Sequence, residues 1–237
     1  MGISGMLVTL LPPDADQDPA MARLLSDSKT MQYLEFMMRP GGYSTSDARA
    51  RREDRARRQL GGEVLDYAIA VRRSRIPEQI RGAVGEDEFL QPREIATDSG
   101  PIAMDEPYLV IGCCGLVDID PRNCISNAGI ILDARFWRSG ASTEAIYLVL
   151  QHGFDVLGLH RIGIQTTESN TGMRGWMENV VGVAVECVRR EVLRLGDGSF
   201  IDSWDYVVFD RDWAASVKRN LQARVAASAA RLGLSAE

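Results

Sequence analysis

The chain has 237 residues, 45% of them hydrophobic and 25% charged, and a net charge of −6. That is the composition of one ordinary globular core, and it excludes the basic surface that draws proteins to nucleic acid. No apolar run reaches the length of a membrane span, and four cysteines with two histidines, in no CxxC pattern, argue against a zinc site. A soluble cytoplasmic protein is expected, with reduced thiols, no metal, and no membrane or nucleic-acid partner.

Residues 6–11 read as a strand stopped by Pro12-Pro13. Apolar positions Met21, Leu24, Leu25, Met31 and Leu34 give helical spacing over 18–38, broken at Pro40-Gly41-Gly42. Ser46 or Asp47 caps a second helix through Leu60. Its six arginines between 49 and 58 are interrupted by Glu53 and Asp54, the pattern of a solvated, partly self-paired face. Residues 66–72 alternate as a strand. From 73 to 107 periodicity disappears, and a long mobile insertion loop is expected. Its acids (Glu86, Asp87, Glu88, Glu94, Asp98, Asp105 and Glu106) fit either a cation-attracting surface or plain solvation.

Residues 108–120 form a long apolar strand, Pro121-Arg122-Asn123 a turn, and 127–132 the next strand, completing a three-strand meander. A helix over 142–157, a strand over 160–167, a short helix over 170–180 and a hairpin of 183–195 with 200–209 about Asp197-Gly198 follow. Trp213, Val217, Leu221 and Val225 repeat every four residues in a C-terminal amphipathic helix. The organisation is one α+β domain over 1–210 with a helical tail over 211–237.

The stretch "ARFWRSGASTEA", 134–145, places a small polar turn ahead of the apolar helix. Helix N-termini have unpaired amides and a positive dipole, so such a turn can cradle a phosphate. Ser142-Thr143-Glu144 serves equally as a plain cap.

The ordered set "LDARFWRSGASTEA", "LGLHRI", "ESNTGMR" and "LRLGDGSFIDSWDY" resembles the GNAT superfamily of acyl-CoA N-acyltransferases. It is most similar to the branch with ribosomal-protein alanine and spermidine acetyltransferases. The family signature is Arg/Gln-x-x-Gly-x-Gly/Ala, and Ser142 departs from its last small residue. The likeness covers about residues 20–210 without the insertion. It implies a GNAT fold, a mostly antiparallel central sheet of six or seven strands flanked by helices, with acetyl-CoA as cosubstrate. By resemblance, Trp137, Arg138, Ser139, Gly140, Ala141, Ser142 and Thr143 hold its pyrophosphate. Ile131 and Leu132 meet the pantetheine through their backbone, and Asn170 hydrogen-bonds it.

Acetyl transfer needs a deprotonated amine, a donor for the oxyanion and a proton for the leaving sulfur. Where the family often has a Glu base, this chain has Asn127. Where it often has a Tyr acid, this chain has Met177. Asp118, Asp120, Glu35 and Asp202 are the replacement candidates for the base, and Tyr206 for the acid. For each of these, as for His152 and His160, a structural role is the alternative. The expected function is transfer from acetyl-CoA to a primary amine, a small molecule or a peptide N-terminus, by direct attack in a ternary complex. The alternative is a non-catalytic coenzyme-A-binding module. A homodimer is one option for assembly.

Overall fold

The computed structural model describes residues 2–97 and 100–234. Its frame is an eight-stranded sheet. The N-terminal segment gives β1 (Ile3–Ser4) and β2 (Thr9–Leu11), with α1 (Asp18–Ser26) and α2 (Thr45–Leu60) before β3 (Leu65–Arg72). The region 73–107 holds α3 (Glu78–Arg81) and a separate hairpin of β4 (Arg93–Ile95) and β5 (Ile102–Met104). Then come β6 (Tyr108–Asp120), β7 (Ile125–Leu132), α4 (Ala141–Gln151), β8 (Arg161–Thr167), α5 (Thr171–Trp176), β9 (Val185–Arg194) and β10 (Phe200–Phe209). A C-terminal arm of α6 (Asp210–Asp212) and α7 (Lys218–Arg231) closes the chain. The sheet order is β1-β2-β3-β6-β7-β8-β10-β9, antiparallel except for the β7–β8 pair.

Strands β3 and β6 are buried on both faces and read as continuous apolar runs, as central strands do. Successive residues serve opposite layers. Tyr67 and Ile69 of β3 pack toward α4, with Ile146, Val149 and Leu150. Ala68 and Ala70 pack toward α1, with Leu24, Leu25 and Met31. The α4 helix is apolar almost all round because α7 covers its outer side through Leu221, Val225 and Ala229.

Four expectations change. The sheet has eight strands: Gly5 to Val8 form a turn rather than the start of a strand, β2 keeps only Thr9–Leu11, and Ile3–Ser4 before the turn adds β1. The buried Glu144 carboxylate holds that turn, accepting the amides of Met6, Leu7 and Val8 at 2.7, 2.7 and 2.8 Å. The first helix ends at Ser26, since Asp27 turns extended and caps the Thr30 amide with its side chain at 2.7 Å. The region 73–107 is not a bare loop. Ile76 and Ile80 enter the α4-side core, and Ile95 and Met104 the α1-side core. Of its acids, Glu88 is ion-paired with Arg135 and Arg23, Glu86 with Arg73, and Asp105 with Arg72. Asp98 lies outside the described residues. Finally, α2 turns arginines inward: Arg51, Arg52, Arg55 and Arg58 are half-buried, while Leu60 is 91% exposed.

Candidate active site

The site begins where two strands part. Parallel pairing of β7 with β8 runs from Ile125 opposite Arg161 to Ala128 opposite Ile164 and stops. Beyond it, Gly129 to Leu132 still pair with β6, but their other backbone edge has no strand partner. Gly129 is exposed in mid-sheet, and nothing lies within 4 Å of where its side chain would start. This gap admits an extended chain that hydrogen-bonds to β7.

Above the open end lies the loop before α4. Arg138 has φ 63° and Gly140 φ 99°, with Ser139 in ordinary φ between them. Such alternation of hand turns successive amides toward one point, and α4 adds its dipole and free N-terminal amides. The Ser139 hydroxyl accepts the Ala141 amide at 3.2 Å. The amides of Gly140, Ser142 and Thr143 make no hydrogen bond among the described residues. The loop is braced on both sides. The Trp137 indole donates to the Leu132 carbonyl at 2.9 Å and stacks on Tyr33. The Trp176 indole at the end of α5 donates to the Thr143 hydroxyl at 3.1 Å. Asn170 caps α5 by accepting the Met173 amide at 3.1 Å, which leaves its amide group free to donate. Gly140 itself faces protein. A side chain there would start 2.6 Å from Ser228 Cβ and 3.1 Å from Leu7. Its smallness therefore serves the packing of α7 as well as the left-handed turn.

On the α1–α2 side of the sheet, the parting strands floor a polar cleft. Asn127 is exposed and lies across Gly163, whose missing side chain leaves room for its amide oxygen. Gln165, level with Gly129, donates to the Ser203 hydroxyl at 2.6 Å. Ser203 donates to Asp205 at 2.5 Å, and Arg189 donates to the other Asp205 oxygen at 2.6 Å. Partial burial opposes ionisation of Asp205, but the hydrogen bonds from Arg189 and Ser203 hold its carboxyl below the usual range. On the same side of the sheet, α2 turns Arg51 toward Asp66 and Cys113 and Arg58 toward Asp118.

The other sequence candidates are not gathered here. Asp118 sits at a bulge with φ 52°, is largely exposed, and meets Arg58 at 3.5 Å. Asp120 is spent on its own turn, accepting the Arg122 and Asn123 amides. Asp202 accepts the Glu191 amide at 2.8 Å, bracing the β9–β10 bulge. Tyr206 faces the α4 side, fully buried, and donates to Glu178 at 2.7 Å; burial, then Glu178, raises its pKa. His160 pairs with Asp210 at 3.1 Å, and His152 is buried. Cys113 and Cys114 are buried, with thiol pKa values pushed up by burial, whereas Cys187 is exposed. No group of three metal-ligating side chains occurs among the described residues. Strand parity carries the missed pair: Ser203 and Asp205, two apart, share the cleft face, whereas Asp202 and Tyr206 have the opposite parity.

A family model for the GNAT acetyltransferase domain matches residues 8–180. An N-acetyltransferase of Bacillus licheniformis, p20, is 34% identical over 70 residues; the match spans 30% of this chain and 39% of that protein. The fold is shared with a GCN5-related N-acetyltransferase from Brucella melitensis (21% identity, 95% of this chain and 85% of that one, TM-score 0.66). It is also shared with Mycobacterium smegmatis RimJ in complex with CoA-disulfide (16% identity, 91% and 88%, TM-score 0.67). With a family model covering most of its length, a parted β7–β8 pair and a glycine loop feeding α4, this chain belongs to the GNAT acetyltransferase family.

Proposed function

We propose that the protein transfers the acetyl group of acetyl-CoA to a primary amine, on a small molecule or a peptide N-terminus, in one step within a ternary complex. The observation that carries this reading is the alignment of the β7–β8 gap with the convergent amides of residues 138–143. The loop amides take the pyrophosphate at the positive end of α4. The free edge of Gly129–Leu132, including Ile131, takes the pantetheine, and Asn170 donates to it. A β7 amide at the gap is the donor for the oxyanion. The amine approaches from the cleft, oriented by Asn127 and Gln165, with Asp205 drawing its cationic form in.

The nitrogen lone pair attacks the thioester carbonyl. The C–N bond forms, the C–S bond breaks, the amine proton leaves to water, and the coenzyme departs as thiolate. The side chains facing the gap supply position rather than a tuned base: Asn127 cannot take a proton, and Asp205 is held as a weakly basic anion. Most of the rate gain is then proximity and orientation. Calorimetric titration with CoA, followed by acetyl-CoA turnover over a panel of amines, tests the reading. Binding without turnover of any amine would favour the non-catalytic module. No binding would sink both.

A further inference from the structure

Two neighbouring arginines of α2, on the same side of the sheet as the cleft, stand in different states. Arg51 and Arg52, consecutive on α2, line one small cavity of about 20 Å³ with Asp18, Asp66 and Cys113. Arg52 is saturated, with Nε and Nη2 donating to the two Asp18 oxygens at 2.9 and 3.0 Å. Arg51 is not. Its Nη2 reaches the Cys113 sulfur at 3.6 Å, and Nη1 stands 3.7 Å from Asp66. Neither distance is that of a charge-assisted hydrogen bond, which is about 2.7–2.9 Å. The thiol is a weak acceptor, and burial holds it protonated. Arg55, one turn on and facing the same way, has no salt bridge among the described residues. A half-buried guanidinium whose nearest carboxylate stands beyond hydrogen-bond distance gains when a ligand supplies closer acceptors.

The register ties this cationic spot to the reaction centre. Asp66 pairs with Gly115, and Gly115 with Gly129. Adjacent rows pair Ala68 with Cys113 and Cys113 with Ile131. From the gap at Gly129 across to β6, the row carries no side chain. Neighbouring strands lie about 4.8 Å apart, so Arg51 stands roughly one to two strand spacings from the point of attack. That span matches the reach from an α-amine to the side-chain carboxylate of the same residue, or to a carboxylate on the next.

We propose that the acceptor is an amine carrying a carboxylate, and that Arg51, with Arg55 beside it, binds that carboxylate. The claim rests on acetyl transfer occurring at the β7–β8 gap. Setting a substrate carboxylate on this loosely paired guanidinium gives Arg51 the short hydrogen bonds that Asp66, at 3.7 Å, does not make, so a neutral isostere is used less well.

The test compares two blocked dipeptides, Glu-Ala-amide and Gln-Ala-amide, which differ only in the carboxylate. With wild type and saturating acetyl-CoA, kcat/KM favours the Glu peptide by roughly tenfold or more, the worth of one charge-assisted hydrogen bond. In Arg51→Gln that ratio collapses toward one, chiefly through KM, and Arg51→Lys keeps part of it. Arg55→Gln, a milder change on the same face, lowers the ratio partially and guards against misfolding of the first variant. Equal use of the two peptides by wild type, or a preference that survives both glutamine variants, overturns the proposal. If wild type binds CoA but acetylates neither these peptides nor any amine, the proposal falls together with the transferase reading. If it acetylates neutral amines best, only the proposal falls.

Discussion

Gly140 holds a φ of 99° and touches Ser228 and Leu7 where a side chain would begin. A β-branched residue there pays for the left-handed backbone and for the clash. Gly140→Val is therefore expected to lose about 1–3 kcal/mol of stability from the strained backbone alone, read as a lower urea midpoint, together with CoA affinity. Adding Ser228→Gly to Gly140→Ala removes one collision partner and recovers part of the midpoint. Lost CoA binding at an unchanged midpoint would instead show that the glycine only makes room for phosphate. At the gap, Asn127 offers no proton acceptor and Asp205 is held low by Arg189 and Ser203. The rate must then follow the free amine, so kcat/KM rises with pH toward the acceptor's own pKa, about 8 for an α-amine. Asn127→Glu moves the rise to lower pH. A wild-type plateau at neutral pH would reveal a tuned base elsewhere.

Elements differ in how far their sequences disclose them. The signature loop, the long strand 108–120 and the closing hairpin are legible because local chemistry fixes them: apolar alternation, a glycine turn, an Asp-Gly corner. The region 73–107 is not, because Ile76, Ile80, Ile95 and Met104 are spaced irregularly and find their partners only in tertiary structure. The arginine run of α2 is misleading for the same reason; composition cannot say that Arg51 and Arg55 face a sheet. Nor did composition separate Asp205 from Asp202, which only strand parity does. Replacing 73–107 by a short Gly-Ser turn is thus expected to give insoluble or strongly destabilised protein, checked by thermal melting of the soluble fraction. The same region has a pH signature. Hydrogen bonds from Arg135, with Gly85 and Arg23 assisting, lower Glu88 from its ordinary 4.5 to about 2. A lowered carboxyl stabilises the fold fully above its unfolded value and loses that contribution as pH falls from about 4.5 to about 2. The urea midpoint of wild type should decline across that window, and Glu88→Gln should flatten the decline while lowering the plateau above it.

At the scale of the molecule, the sheet separates two chemistries. On the proposed reading, α4, α5 and the loop at 138–143 serve the coenzyme on one face, the side of α2 and Asp205 serves the amine on the other, and the two meet at the β7–β8 gap. The nearby thiols, Cys113 and Cys114, are buried and held protonated. No acetyl-enzyme should accumulate: intact mass after incubation with acetyl-CoA alone stays unmodified, and initial-rate plots with both substrates intersect rather than run parallel. The packing of Ser228 against Gly140 carries this division into the order of assembly. A nascent chain can write the phosphate loop and α4 early, from local contacts. The surface against which Gly140 closes arrives only with α7, far along the chain, and a contact of such separation forms late because loop closure must be paid first. If the 138–143 loop is the coenzyme's anion cradle, coenzyme binding is then among the last properties a folding molecule acquires, because the cradle is completed only when α7 docks.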